Sequence, residues 1–233
     1  MSFFRTRLKM WCTLKKQELV ALVEKLGQRY SEVLGINVDS RDDGEIFKWF
    51  LAAVLFGAPI TGSSVVKTYR CFERHRVLTP QKVVETGWQG LVEILDEGSY
   101  TRYDYKTADK LLLVMDNLTK KYGGSLNLLH REAADSTDLE KRLKQLGKGI
   151  GDVTVSIFLR ELRSVWSKAD PKPTPLVISA AKDLRITKNE SPEGALAELK
   201  DFWKRNAVKG RSFVNFETAL LRWGKNRRRK KQT

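Results

Sequence analysis

The sequence predicts an all-α protein made of two helical lobes. Nearly every segment places apolar residues three and four positions apart, as on one face of a helix. No stretch shows the alternation with period two that is typical of a strand. The 233 residues are enough for one domain with a substantial core, or for two small lobes that share one.

Two helices are predicted near the N-terminus. The first is lined by Leu19, Leu22, Val23, Leu26, Tyr30 and Val33. The second is lined by Ile46, Phe47, Phe50, Leu51, Val54 and Leu55, and it breaks at the Gly57-Ala58-Pro59 segment.

The middle of the chain predicts two more helices. Thr79 is suited to the N-cap of the first and Pro80 to its first position, and the apolar pattern continues through Leu91, Ile94 and Leu95 toward Gly98. The second runs from Thr107 to Tyr122 and stops at two glycines. We expect Trp49, Trp88 and Trp166 to belong to the core.

The C-terminal third begins with a proline-rich connector. Thr174 and Pro175 predict the start of a helix over 176–184, and further helices are expected at 195–205 and 213–223. We expect an N-terminal helix within 1–43 that packs with the C-terminal lobe. A helical lobe at 44–167, a C-terminal lobe at 168–224 and a basic tail at 225–233 complete the predicted organisation, with a cleft between the lobes.

A glycine hairpin between two helices is the most informative local feature. Thr137 and Glu140 have the spacing of a capping box at the start of the first helix, and Asp152 opens the second, whose apolar stripe extends to Trp166. Gly149 and Gly151 can adopt positive φ and let backbone N–H groups approach a phosphate, while Ile150 inserts into the core. Such a hairpin binds nucleic acid backbone independently of base sequence. An ordinary helix end followed by a glycine turn is the alternative.

The chain is strongly basic, with a net charge of +15. This surplus favours a polyanionic partner. Six basic residues lie near the C-terminus: Lys225, Arg227, Arg228, Arg229, Lys230 and Lys231. Two interpretations of this stretch stay open, a solvated end and a salt-sensitive contact with phosphates.

The composition also predicts what the protein lacks. Cys12 and Cys71 are far apart and have no companion ligand pattern, so we expect no disulfide framework and no metal site. Residues 1–13 lack the apolar block of a secretory signal, and no apolar run is long enough to span a bilayer. We therefore expect a cytoplasmic monomer without a membrane partner, associated with the nucleoid if the source is prokaryotic.

The chain resembles the helix-hairpin-helix superfamily of DNA glycosylases (HhH-GPD), the group that includes endonuclease III. Four regions carry the resemblance in the expected order: the helix at 48–57 with the following Pro59-Ile60-Thr61 and 65–69, the segment 103–108, the hairpin within 146–162, and the segment 220–225. Only the hairpin is specific by itself. The resemblance covers roughly residues 44 to 225.

The resemblance implies a DNA glycosylase of base excision repair. Such enzymes extrude a damaged or mispaired base from double-stranded DNA and cut its bond to the sugar. It implies DNA contacts at Gly147, Lys148, Gly149, Ile150, Gly151 and Thr154, to which the tail would add Arg227, Arg228 and Arg229. Pro59 and Ile60 are candidates for a wedge in the duplex, with a helix break capped by apolar contacts as the alternative. Tyr103 and Tyr105 are candidates for stacking on an extruded base, with packing at a helix start as the alternative.

Asp170 is the candidate for the family's catalytic carboxylate. It lies 19 residues after Gly151, a spacing close to the family's. An alignment by the helix cap would instead place Thr174 there, and a threonine cannot supply the negative charge. Family members that also cleave the strand carry a lysine two residues after the last hairpin glycine, where this chain has Val153. The resemblance thus implies a monofunctional enzyme that uses water, although Lys148, Lys168 and Lys172 remain alternative amines.

The only cofactor that the resemblance implies is a structural metal ion. The cysteines of the endonuclease III cluster are missing after Trp223, so no iron–sulfur cluster is expected. A structural potassium or sodium ion at the hairpin carbonyls is a family trait. Two other functions stay open: a helix-hairpin-helix protein that binds DNA without chemistry, and an RNA-binding helical module.

Overall fold

The computed structural model describes residues 14–230. The N-terminal segment, Cys12 and Lys231 lie outside the described residues. Twelve α-helices, with 69% helix and no strand among the residues described, confirm the all-α prediction. No helix in the described range has the length and apolarity needed to cross a membrane. The described chain divides into two compact units, which are residues 29–171 and residues 14–28 with 172–230.

The 29–171 unit contains eight of the α-helices and a short 3₁₀ helix at Val38–Ser40. In chain order they are α2 (Tyr30–Val33), α3 (Asp43–Phe56), α4 (Gly62–Arg74), α5 (Pro80–Glu97), α6 (Asp104–Tyr122), α7 (Leu126–Glu132), α8 (Ser136–Lys144) and α9 (Asp152–Glu161), while α1 belongs to the other unit. Residues 29–43, which the sequence placed with the N-terminal segment, lie in this unit.

Helix α3 is the centre of this unit. Its residues from Ile46 to Leu55 are all buried except Lys48, as the apolar spacing predicts for a helix packed on several sides. The Trp49 indole Nε1 donates to the carbonyl oxygen of Phe158 in α9 at 3.0 Å. The Tyr100 hydroxyl donates to the carbonyl oxygen of Leu55 at 2.7 Å. These bonds hold α9 and the α5–α6 connection against α3.

Several predicted helix ends are confirmed. Thr79 caps α5, with its Oγ1 accepting from the N–H of Lys82 at 3.1 Å. Pro80 takes the first position of that helix. Helix α6 ends at Gly123, which has a φ of +58°.

Other boundaries correct the sequence prediction. The first predicted helix is two helices, because α1 (Lys16–Leu26) ends at Gly27 and α2 begins at Tyr30. The predicted capping box at Thr137 is wrong, since Asp135 is the N-cap of α8 and accepts from the N–H of Asp138 at 2.8 Å. Helix α9 ends at Glu161, and turns carry the apolar stripe on to Trp166.

Glu161 ends α9 as a fully buried carboxylate. Its two oxygens accept from the backbone N–H groups of Tyr30 and Ser31 at 2.7 and 2.8 Å. The carboxylate therefore caps the start of α2, where unpaired N–H groups favour a negative charge.

The other unit contains α1, α10 (Pro175–Asp183), α11 (Pro192–Asn206) and α12 (Phe213–Lys230). Helix α12 packs against α1, α10 and α11. The Asn215 amide donates to the carbonyl oxygen of Gly27 at 2.9 Å and so fixes the end of α1. Thr174 caps α10, as predicted, with its Oγ1 accepting from the N–H of Val177 at 3.4 Å.

The last helix extends further than the sequence predicted. Residues 225–230 form the last turns of α12 rather than a separate tail. Arg227 pairs with Asp183 at 2.5 Å, and its guanidinium lies 5.2 Å from the centroid of the Trp223 ring. Arg228 and Arg229 are exposed on the same helix.

Candidate nucleic-acid interface

Buried apolar side chains fix the turn between α8 and α9 to the core of the unit. Leu146 and Ile150 are buried, with 0% and 4% exposure, so the expectation that Ile150 inserts into the core is confirmed. The Asn117 amide of α6 donates to the carbonyl oxygen of Leu146 at 2.9 Å. The N–H of Ile150 donates to the carbonyl oxygen of Gly147 at 3.1 Å. The turn is thus a fixed part of the unit, held against α6.

The outer side of the turn is exposed backbone. Gly149 has a φ of +94°, which L side chains rarely adopt. Gly151 instead has a φ of −104° with extended ψ, so the expectation of positive φ holds for Gly149 alone. In residues 14–230 the N–H groups of Gly149 and Gly151 donate no hydrogen bond, and no side chain caps α9. These amides and the positive N-terminal end of α9 can bind an anion.

Asp152 is the one acidic group at the start of α9. Its carboxylate lies 2.5 Å from the ammonium of Lys144 in α8. The hydrogen bond and charge of Lys144 hold the pKa of Asp152 below its ordinary value. This ion pair offsets the repulsion that Asp152 would otherwise exert on a phosphate.

A surface cavity of about 630 Å³ adjoins the turn. Its lining brings together three regions that are distant in sequence: Gly57–Pro59 after α3, the start of α6, and the turn itself. The side chains that line it include Pro59, Tyr103, Lys106, Lys110 and Lys148, with Asp109 the only carboxylate among the lining residues. The cavity is therefore positively charged.

Lys110 of α6 lies next to Gly149 of the turn. A Cβ placed on Gly149 would be 2.7 Å from its Cε and 3.6 Å from its Nζ. Burial lowers the pKa of Lys110 from its ordinary value. Neither Lys106 nor Lys110 was among the residues predicted for the site, although their spacing of four residues places both on one face of α6.

The remaining hairpin candidates have other surroundings. Thr154 is buried, at 3% exposure, and its Oγ1 lies against Gly57. Its hydroxyl is therefore not at the surface, contrary to the expectation of a DNA contact. Gly147 packs closely on α6, since a Cβ there would be 2.7 Å from Val114. Lys148 is exposed.

The two wedge candidates lie in different environments. Pro59 is exposed and lines the cavity. Ile60 is half-buried and packs against the core, as its structural alternative predicted. Any insertion into a duplex from this loop would therefore involve Pro59 first.

The two tyrosine candidates also differ. Tyr103 is the N-cap of α6, is half-buried, and lies at the cavity with the Arg102 guanidinium 5.6 Å from its ring centroid. Tyr105 is 58% exposed, and its ring centroid is 5.2 Å from that of Trp88. Trp88 is 39% exposed, so the expectation that it belongs to the core is wrong.

Asp170 forms an ion pair with Arg163. The Arg163 guanidinium contacts Asp170 Oδ1 and also donates to the carbonyl oxygen of Pro171. The side chain of Arg163 is 6% exposed and that of Asp170 is 42% exposed. A nearly buried cation thus orients an exposed carboxylate at the end of the 29–171 unit.

Two carbonyl groups of the turn are hydrogen-bonded within the unit. Those of Leu146 and Gly147 already accept hydrogen bonds from Asn117 and Ile150. A structural potassium or sodium ion at the hairpin carbonyls stays a prediction.

No family model, curated protein or solved structure matches this chain. The likeness to helix-hairpin-helix glycosylases therefore rests on the residues of this sequence.

Proposed function

We propose that the chain binds the backbone of double-stranded DNA through the turn at 147–151 and the start of α9. The observation that carries the proposal is the cavity beside the turn, which is lined by three lysines from α6 and the turn and by Gly149, whose backbone is exposed. Amides of this kind bind phosphate oxygens, and lysines add attraction that does not depend on sequence.

The second part of the proposal is the chemistry. We infer a monofunctional DNA glycosylase in which Asp170 is the catalytic carboxylate. Its support is the family-like spacing from Gly151 and an exposure of 42%, which leaves the carboxylate accessible to a sugar. Arg163 is then the positioning residue, because it contacts both Asp170 and the Pro171 carbonyl.

The reaction is a hydrolysis at C1′ of the sugar. The C1′–N bond breaks, its electron pair leaves with the base, and positive charge develops on the sugar. The Asp170 carboxylate stabilises that charge, and water supplies the oxygen that bonds to C1′. One proton from the water passes to the leaving base. Val153, which is 62% exposed, supplies no amine for a Schiff base.

Duplex oligonucleotides that carry a panel of base lesions test this function. Each is incubated with the protein and then heated in alkali, which breaks the strand at abasic sites. We expect breaks at one class of lesion that disappear in Asp170→Asn. Asp116→Asn is the matched control, since Asp116 is also an exposed carboxylate in an ion pair, with Lys120 at 2.7 Å.

The outcomes separate the glycosylase from its rivals. Intact duplex binding without a break at any lesion would favour a helix-hairpin-helix protein that binds DNA without chemistry. Breaks that persist unchanged in Asp170→Asn would overturn the role of Asp170. A preference for single-stranded RNA over duplex DNA at one fixed salt concentration would favour the RNA-binding alternative.

A further inference from the structure

An exposed pair of aromatic rings lies beside the lysine-lined cavity. Trp88 of α5 and Tyr105 of α6 have ring centroids 5.2 Å apart and planes inclined by 42°. Their exposures are 39% and 58%, which is high for two large side chains in contact with each other. Aromatic surface left in water costs free energy, so an exposed pair is a candidate for binding a ligand.

Two structural features hold the pair in place. The Trp88 indole Nε1 donates to Asp109 Oδ1 at 2.9 Å. Gly87, directly before Trp88, interrupts α5 with a φ of +68° and a ψ of 176°. This backbone region is essentially restricted to glycine. The indole thus has a satisfied polar atom and a defined position.

Asp109 connects the pair to the cavity. It accepts the indole hydrogen bond and also lines the cavity. Tyr105 and Asp109 are four residues apart on α6, and so are Lys106 and Lys110, which line the cavity. The Tyr105 ring and two lysines therefore occupy adjacent faces of α6, while Trp88 reaches the pair from α5.

We propose that Trp88 and Tyr105 form a stacking platform for one unpaired base of a DNA strand whose phosphates occupy the lysine-lined cavity. This proposal rests on the proposed DNA binding and adds an unpaired base to its ligand. Aromatic rings stack on the face of any base, while lysines follow the strand, and this combination characterises single-strand binding. The positive cavity favours a nucleic acid strand over an uncharged or basic partner.

Duplexes that contain a single unpaired 2-aminopurine test the platform. The fluorescence of this base falls when it stacks on an aromatic ring, while anisotropy of an end label reports total binding. We expect the wild-type protein to quench the unpaired 2-aminopurine and to bind the bulged duplex more tightly than a fully paired one.

Substitutions at the platform should separate stacking from backbone binding. Trp88→Leu and Tyr105→Leu should each weaken binding of the bulged duplex by about tenfold and abolish the quenching, while affinity for the paired duplex changes less than about twofold. Trp88→Phe and Tyr105→Phe keep an aromatic ring and should retain most of the effect. Val84→Ala is the control, because Val84 is an exposed apolar residue of α5 outside the pair.

The outcomes distinguish this proposal from the proposed function. Equal losses on both duplexes, or no loss on the bulged one, would overturn the platform and leave backbone binding standing. So would equal affinity of the wild-type protein for both duplexes without quenching. Failure of the wild-type protein to bind either duplex would overturn both proposals.

Discussion

Replacing Gly149 with alanine perturbs the turn at its most constrained position. The φ of +94° places a non-glycine residue in a region that costs about 1–2 kcal/mol. The new Cβ would also lie 2.7 Å from Lys110 Cε, so the lysine must move within the cavity. Because that side chain is flexible, we expect the free energy of unfolding to fall by about the backbone cost alone, about 1–2 kcal/mol.

DNA binding should fall further than stability does. The displaced Lys110 ammonium and the obstructed amide each represent a charge-assisted contact with phosphate, of about 1.5 kcal/mol or more, so the Kd should rise at least tenfold. The rise should be the same for duplexes of unrelated sequence, because the proposed contact is with the backbone only. Urea unfolding and fluorescence anisotropy measure the two quantities.

Gly123→Ala is the matched control for this substitution. Gly123 also has positive φ, +58°, and a Cβ there meets no atom within 4 Å. We expect a similar loss of stability and unchanged DNA binding. The reasoning would be refuted if Gly149→Ala bound DNA as tightly as the wild-type protein, or if its loss of affinity depended on base sequence.

Three further predictions concern the same unit. Gly57→Ala should lower the free energy of unfolding by about 1–3 kcal/mol, because its Cβ would lie 2.2 Å from Thr154 Oγ1. In a double-mutant cycle measured by urea unfolding, adding Thr154→Ala should restore most of this loss. Burial, helped by Lys168 and Arg131, lowers the pKa of His130 below its ordinary 6.5. The unfolded chain then binds a proton more readily than the folded chain does. The free energy of unfolding therefore has its full value above pH 6.5 and falls as the pH drops through the folded pKa of His130. His130→Phe, which keeps a ring against Trp166, should lose less stability between about pH 7 and 5; equal losses would contradict this. Borohydride should trap no covalent complex with lesion-containing DNA, and efficient trapping would show an amine nucleophile and lyase chemistry.

Local signals in the sequence predicted most helices and several of their ends. The apolar spacing of α3 and the Thr79-Pro80 and Thr174-Pro175 pairs depend on neighbouring residues only, so they can be identified without a structure. Asp135 was missed because Thr137 offered a competing capping pattern two residues later. The apolar stripe of α9 continued past Glu161 because residues in turns can be as buried as those in a helix.

The interface depended on contacts that sequence spacing does not reveal. Gly149 was a candidate from its residue type, but the approach of Lys110 arises from the packing of the turn on α6. Thr154 was expected at the surface, and the close approach of Gly57 buries it. Trp88 was expected in the core, whereas the break at Gly87 and the bond to Asp109 accompany an exposed ring. Each difference comes from tertiary packing.

The salt dependence of DNA binding tests the central claim most directly, namely that the cavity beside the turn holds phosphates. The slope of log K against log salt concentration reports how many phosphates the protein neutralises. Lys106→Ala, Lys110→Ala and Lys148→Ala should each make the slope less steep by about 1, equally for unrelated sequences. Lys82→Ala, at an exposed lysine paired with Glu85, should leave it unchanged. Three cavity variants with the wild-type slope would contradict the account.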